Sequence, residues 1–121
     1  MKEECIKKTK DITEKFKSCR KAFSALGDET RQLIIIALLE GDYRGIRVGE
    51  IAKKTHLSRP AVSHHLQILK DAEIINTRRD GTRNYYYINP SESIWDLMYE
   101  LIKEVNIGVK HLAKENLDEE L

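Results

Sequence analysis

Apolar residues recur at helical spacing from the start of the chain. Ile12, Phe16, Cys19, Phe23 and Leu26 follow one another at steps of four, three, four and three, with Cys5 one heptad before Ile12. This predicts an amphipathic helix over 5–26, with a break near Ser18–Lys21. Gly27-Asp28 ends it, and Asp28 is placed to cap the next helix, Glu29–Glu40. The centre of that helix, Leu33–Leu39, reads LIIIALL and has no polar face, which predicts burial at the middle of the core. Gly41 closes it, and Ile46-Arg47-Val48 reads as a short strand. A last helix is predicted over 91–114. Ile94, Met98, Leu101 and Val105 form one apolar strip, and Trp95, Ile102 and Val109 form another beside it.

The densest pattern lies between these helices. Over 48–72, VGEIAKKTHLSRPAVSHHLQILKDA predicts two short amphipathic helices around a tight break at His56-Leu57-Ser58. The first is expected to bury Ile51 and Ala52. Ser58 is a good N-cap, and Pro60 falls in the first turn, where a missing N–H costs nothing. Val62, Leu66 and Leu69 form the buried stripe of the second helix. At 100° per residue, Pro60, Ser63, His64 and Gln67 gather on its opposite side, flanked by Arg59 and Lys70. An apolar back with short hydrogen-bonding groups between cations on the front suits the major groove, where base edges are read while cations meet phosphates. His65 lies about 60° from Val62 and is expected to be half-buried, whereas His64 faces outward. The pattern is a helix-turn-helix.

A second signal follows at once. Two β-prone runs, Ile74–Arg79 and Thr82–Ile88, flank Asp80-Gly81, and that pair favours a tight hairpin because its turn needs positive φ. Arg78, Arg79 and Arg83 cluster near the tip, and Tyr86 is expected to pack inward from the strand. A hairpin over 74–88 behind a helix-turn-helix is a wing, whose arginines suit phosphates or the minor groove.

Charge sharpens this picture. The formal net charge of the 121-residue chain is only +1, but residues 44–88 carry 9 Lys/Arg against 4 Asp/Glu, whereas 89–121 carry 3 against 8. The positive field therefore sits on the helix-turn-helix and wing, as a nucleic-acid footprint requires. The longest apolar run is seven residues, too short to span a membrane, and no signal-peptide core is visible, so a cytoplasmic protein is expected. Two cysteines without metal-type spacing agree with a reducing compartment. No phosphate-binding loop, nucleophile motif or paired carboxylates point to an enzyme, and no cofactor is implied. The first and last helices carry more apolar surface than one small domain needs. This predicts a homodimer with Ile12, Phe16, Cys19, Met98, Leu101 and Val105 at the shared surface.

Three segments, FSALGDETRQLIIIALL (Phe23–Leu39), LSRPAVSHHLQILKDAEII (Leu57–Ile75) and RRDGTRNYYYI (Arg78–Ile88), resemble the ArsR family of winged-helix transcriptional repressors. The resemblance covers essentially Phe23–Leu112. It implies the order α1-α2-α3-α4-β-β-α5, a dimer built from the first and last helices, and repression relieved by an inducer. The family's sensing chemistry does not follow. Arg47, Val48, Gly49 and Glu50 stand where a Cys-x-Cys metal site would lie. Asp96-x-Met98 and His111-x-x-Lys114 lack two of the four ligands of the last-helix site. The cysteine pairs of redox-sensing members are also missing, so no metal site is expected. Glu73 stands where the family usually has a helix-ending glycine.

These readings converge on a mainly α, single-domain (1–121) winged helix-turn-helix with a small β-hairpin. It is expected to bind double-stranded DNA at an inverted-repeat operator as a homodimeric repressor, through Ser58, Arg59, Pro60, Ser63, His64, Gln67, Lys70, Arg78, Arg79 and Arg83. The inducer is unidentified. The alternative is a winged helix whose basic face docks an acidic protein or RNA.

Overall fold

The computed structural model describes residues 2–90 and 93–120. Its elements are α1 (Lys2–Leu26), α2 (Glu29–Glu40), α3 (Val48–Thr55), α4 (Arg59–Asp71), β1 (Ile75–Asp80), β2 (Arg83–Ile88) and α5 (Ile94–Glu120). The order is the expected one. The chain divides into two compact units, Arg20–Ile94 and the pair of segments Met1–Cys19 with Trp95–Leu121, where the sequence suggests a single domain. On the two long helices the buried residues are Cys19, Ala22 and Ala25 of α1 and Met98 and Leu101 of α5.

In the Arg20–Ile94 unit, α2 packs on α3 and α4, β1 lies against α4, and β2 lies against α2 and α3. Ile34, Ile51, Val62, Leu66, Leu69, Ile74 and Ile75 fill its centre. The caps act as the sequence indicates. Asp28 Oδ2 accepts from the Arg31 N–H at 2.9 Å, and Ser58 Oγ accepts from the Ala61 N–H at 3.2 Å, with Pro60 in the first turn of α4. Helix α2 departs from its predicted all-round burial. Ile34, Ile35, Ala37 and Leu38 are inside, but Leu33, Ile36 and Leu39 remain 49, 48 and 68% exposed. A unit this thin covers only one side of a helix. Ala52 is likewise half-buried, leaving Ile51 as the α3 anchor.

Two non-glycine residues adopt left-handed backbone. His56, at φ +59, ends α3 and turns the chain toward α4, as a turn residue should. Glu73, at φ +63, follows α4. Its N–H donates to Lys70 O and the Ile74 N–H to Leu69 O, a Schellman closure in which glycine is usual.

The wing is an antiparallel pair with Asp80 opposite Arg83, so the two-residue loop is Gly81-Thr82, one position later than Asp80-Gly81. Only Gly81 takes positive φ (+63), the type II′ pattern with glycine first. The strand expected at Ile46–Val48 is a single bridge: Ile46 and Tyr86 exchange both backbone hydrogen bonds at 2.9 Å, and Val48 already begins α3. Beside it Gly45, at φ +117, lets the chain pass Tyr85. A Cβ there would lie 3.0 Å from both Tyr85 Cβ and Tyr86 O. Tyr85, Tyr86 and Tyr87 are all half-buried, so Tyr86, expected to pack inward, is not set apart from its neighbours by burial.

Helix α1 runs unbroken through Ser18–Lys21, where Ser18 Oγ donates back to Glu14 O instead of ending the helix. In the unit containing Met1–Cys19 and Trp95–Leu121, Lys15 pairs with Glu104 and Glu100. Among the residues expected at a dimer surface, Cys19, Met98 and Leu101 are corrected: they are buried within the single chain and have nothing to offer a partner. Ile12 and Val105 are half-buried, while Phe16 is exposed, as are Ile102, Ile107 and Val109 on α5. Helix α5 continues past 114, and the expected start at Ser91 lies outside the described residues. No helix among the described residues is long and apolar enough to cross a membrane.

Candidate nucleic-acid interface

Helix α4 turns Val62, Leu66 and Leu69 inward, and this alone leaves Ser58, Arg59, Pro60, Ser63, His64, Gln67 and Lys70 exposed on the far side. The expected reading face is therefore assembled on one rigid element. Gln67 Nε2 donates to Asp71 Oδ1 at 2.9 Å, so its amide is held along the helix and must exchange that partner to meet a base. His64 is exposed, whereas His65 is half-buried with Nδ1 3.4 Å from Arg31 Nη1. The same Arg31 donates from Nε to Ala25 O and from Nη2 to Ser24 O, and its Nη1 stands 3.9 Å from the capping Asp28 carboxylate. One side chain thus joins the end of α1, the start of α2 and the recognition helix. The Asp28 carboxyl is held below its ordinary value, chiefly by the Arg31 backbone N–H.

The three wing arginines do not behave alike. Arg78 is turned onto the protein: its Nε donates to Arg44 O at 2.8 Å and its guanidinium lies 4.4 Å above the Tyr85 ring. Arg44 in turn pairs with Asp42, whose carboxyl is pulled down to about 2, first by the Arg44 side chain. Arg79 stays at the tip, with Nε donating to Gly81 O at 3.0 Å. Arg83 is exposed and faces a cleft of about 590 Å3 between α3 and the wing. That cleft also gathers Arg47, Lys53 and Arg59. The first two were not singled out by the sequence pattern. A cation at the N-cap of α3, where Ser, Thr, Asp or Asn would be usual, is the signal that could have found Arg47.

The other ionisable groups are unremarkable as ligands. Cys5 is exposed and Cys19 buried, and burial pushes the Cys19 thiol up. His111 contacts Glu115 on an exposed face of α5. Among the described residues, no three His, Cys, Asp or Glu side chains gather as a metal site would need.

Comparison with known proteins gives the same reading from another direction. Residues 28–77, spanning α2 to β1, match the profile of the bacterial regulatory protein, arsR family. An uncharacterized HTH-type transcriptional regulator of Methanocaldococcus jannaschii is 38% identical over 93 residues, which cover 77% of this chain and 97% of the relative. The transcriptional repressor SdpR of Bacillus subtilis is 43% identical over 67 residues, 55% of this chain and 71% of SdpR. The homodimeric winged helix-turn-helix DNA-binding domain of Mb0332 from Mycobacterium bovis superposes with a TM-score of 0.58 at 27% identity, covering 80% of this chain and 83% of that one. With the helix-turn-helix, the wing and these likenesses together, the chain belongs to the ArsR family of DNA-binding transcriptional regulators.

Proposed function

We propose that this regulator is a cytoplasmic repressor that binds an inverted-repeat operator as a homodimer and leaves it in response to a signal. The observation that carries the reading is the outward face of α4. Its exposed Ser63, His64 and Gln67 lie between Arg59 and Lys70, directly opposite a fully buried apolar stripe. Ser58 and Pro60 set the start of that helix, and Arg79 and Arg83 supply phosphate contacts from the wing. Arg78 acts at one remove, by bracing the wing against the Arg44 carbonyl. The dimer surface is assigned to Phe16, Ile102, Ile107 and Val109, with Ile12 and Val105 at its edge, in place of the buried Cys19, Met98 and Leu101. A two-fold dimer of this kind reads two half-sites about 34–36 Å apart, one turn of duplex. SdpR is by name a transcriptional repressor, and the Mb0332 domain is homodimeric, which supports both parts.

The test is selection of duplexes from a random pool, followed by gel shifts. Wild type should enrich an inverted repeat. His64→Ala with Gln67→Ala should lose preference for it over scrambled DNA, at about 1–3 kcal/mol per base contact, while keeping its circular dichroism. Undiminished preference in that double variant refutes the reading face.

A further inference from the structure

We infer that the outward face of α2 docks a basic stripe of α1 from a second copy of the chain, joining dimers that sit side by side on DNA. The inference rests on the DNA-binding reading above and adds a contact between bound molecules, on the side of α2 turned away from α3 and α4. Leu33, Ile36 and Leu39 are 49, 48 and 68% exposed there. At about 100° per residue, Leu33 and Leu39 flank Ile36 by about 60° on either side, and Glu29 and Glu40 fall within about 40° of it. Neither glutamate has an ion-pair partner among the described residues. Gln32, the other polar residue on this face, donates from Nε2 back to Leu26 O at 2.6 Å and does not cover the ridge. An exposed apolar ridge whose only charges are acidic calls for a partner that is basic and partly apolar.

Helix α1 carries the complement. Ile6, Lys10, Thr13, Lys17 and Arg20 recur at steps of four, three, four and three, and all are exposed. Lys10 and Arg20 have no ion-pair partner among the described residues, and Lys17 meets only Glu14 of its own helix, at 3.7 Å. The lengths agree. At 1.5 Å per residue, Lys10 and Arg20 stand about 15 Å apart along their axis, and Glu29 and Glu40 about 16 Å apart along theirs. Two helices laid side by side therefore bring a cation to each glutamate, with the lysine stems and the Thr13 methyl over Ile36. The α1 of the same chain leaves the α2 face exposed, so the occupant comes from another copy. Lys10 and Lys17 lie about 100° or more around α1 from Ile12 and Phe16, so the proposed dimer contact leaves them open. Stripe and ridge are different surfaces, so the contact is heterologous and can run on from one dimer to the next.

The experiment uses the full chain and duplexes carrying the selected site once, or twice at a series of spacings, with sedimentation velocity of the free protein alongside. At the best spacing wild type should fill the second site about 3–10-fold more tightly than the first, the scale of two exposed ion pairs. It should also form species larger than a dimer when concentrated at low salt, and lose them as salt rises. Ile36→Asp, and Glu29→Lys with Glu40→Lys, should each abolish both effects while still binding the single site and keeping the wild-type circular dichroism. Adding Lys10→Glu and Arg20→Glu to the double glutamate variant should restore both effects, which a folding defect could not produce. Wild type that fills two sites independently and stays a dimer at every concentration overturns the inference while leaving the DNA reading intact. Charge reversal on both helices without recovery overturns α1 as the occupant. Independent sites, together with a lysine-rich amphipathic peptide held by wild type and not by Ile36→Asp, overturn it in favour of another protein. Wild type that binds no duplex overturns the DNA reading, and the low-salt association with its charge-swap recovery then tests the α2 contact alone.

Discussion

Replacing Glu73 by glycine should make this protein more stable, although no native contact is gained. Glu73 is forced to φ +63 by the closure of α4, where its own N–H and that of Ile74 turn back to Lys70 O and Leu69 O at 2.9 and 3.0 Å. An L-residue in that region costs about 1–2 kcal/mol. Glycine removes this cost but gains freedom in the unfolded chain, which returns about 0.5–1 kcal/mol. The carboxylate is exposed and has no ion-pair partner among the described residues, so its loss adds little. The balance is about 0.5–1 kcal/mol of added stability. In urea titrations followed by circular dichroism, with a slope of about 2 kcal/mol per molar, the midpoint should rise by about 0.4 M at unchanged slope. Glu73→Ala keeps the Cβ and should give no such gain. Gly45→Ala, at φ +117 with Tyr85 and Tyr86 only 3.0 Å from the new Cβ, should lose more than about 1 kcal/mol. If Glu73→Gly is neutral or harmful, or if Glu73→Ala matches it, backbone strain is not what Glu73 contributes.

Two further outcomes follow from the side-chain chemistry. Asp42 ionises near pH 2 beside Arg44, against 3.8 for an ordinary carboxyl. Its stabilising contribution is therefore complete above about pH 4 and is lost as pH falls through 2, so Asp42→Asn should flatten the acid limb of a urea-midpoint-versus-pH curve; an unchanged limb would remove this pair from the account. Cys5 is exposed while Cys19 is buried with its thiol pushed up, so a disulfide reagent should titrate one thiol in native protein and two in denaturant. Two fast thiols in the native state would contradict the burial of Cys19.

The local signals were legible because they depend on few residues. Asp28, Ser58 and Pro60 fix helix starts through their own chemistry, and Val62, Leu66 and Leu69 determine the exposed face of α4 by periodicity alone. The misreadings of burial concern which surfaces meet. The apolar run of α2 could not reveal that Leu33, Ile36 and Leu39 face outward, since burial depends on how many layers the fold supplies. The strips on α1 and α5 mixed residues buried at home, Cys19, Met98 and Leu101, with exposed ones such as Phe16 and Ile102. Periodicity marks a face without saying which end of it is already covered. Arg78 was indistinguishable from Arg79 along the chain, because only the tertiary approach of Arg44 and the cross-strand Tyr85 turns it inward. The cation cleft escaped for the same reason: Arg47, Lys53, Arg59 and Arg83 come from three separate elements and the N-cap between them.

The bridge between Ile46 and Tyr86 also bears on solubility. Tyr86 spends its N–H and C=O on Ile46, away from β1, so its partner Thr77 must point its own backbone groups outward along the open edge of β1. Such an edge can recruit a strand from another molecule and seed aggregation. Here the Thr77 N–H already donates to Asn76 Oδ1 at 2.8 Å, and Arg78 and Arg79 follow directly along the same strand. One edge of the hairpin is covered by its own chain, and the other is blocked by an asparagine beside the exposed Arg79. A protein that must collect at one stretch of DNA can therefore reach high local concentration without its wings zipping together.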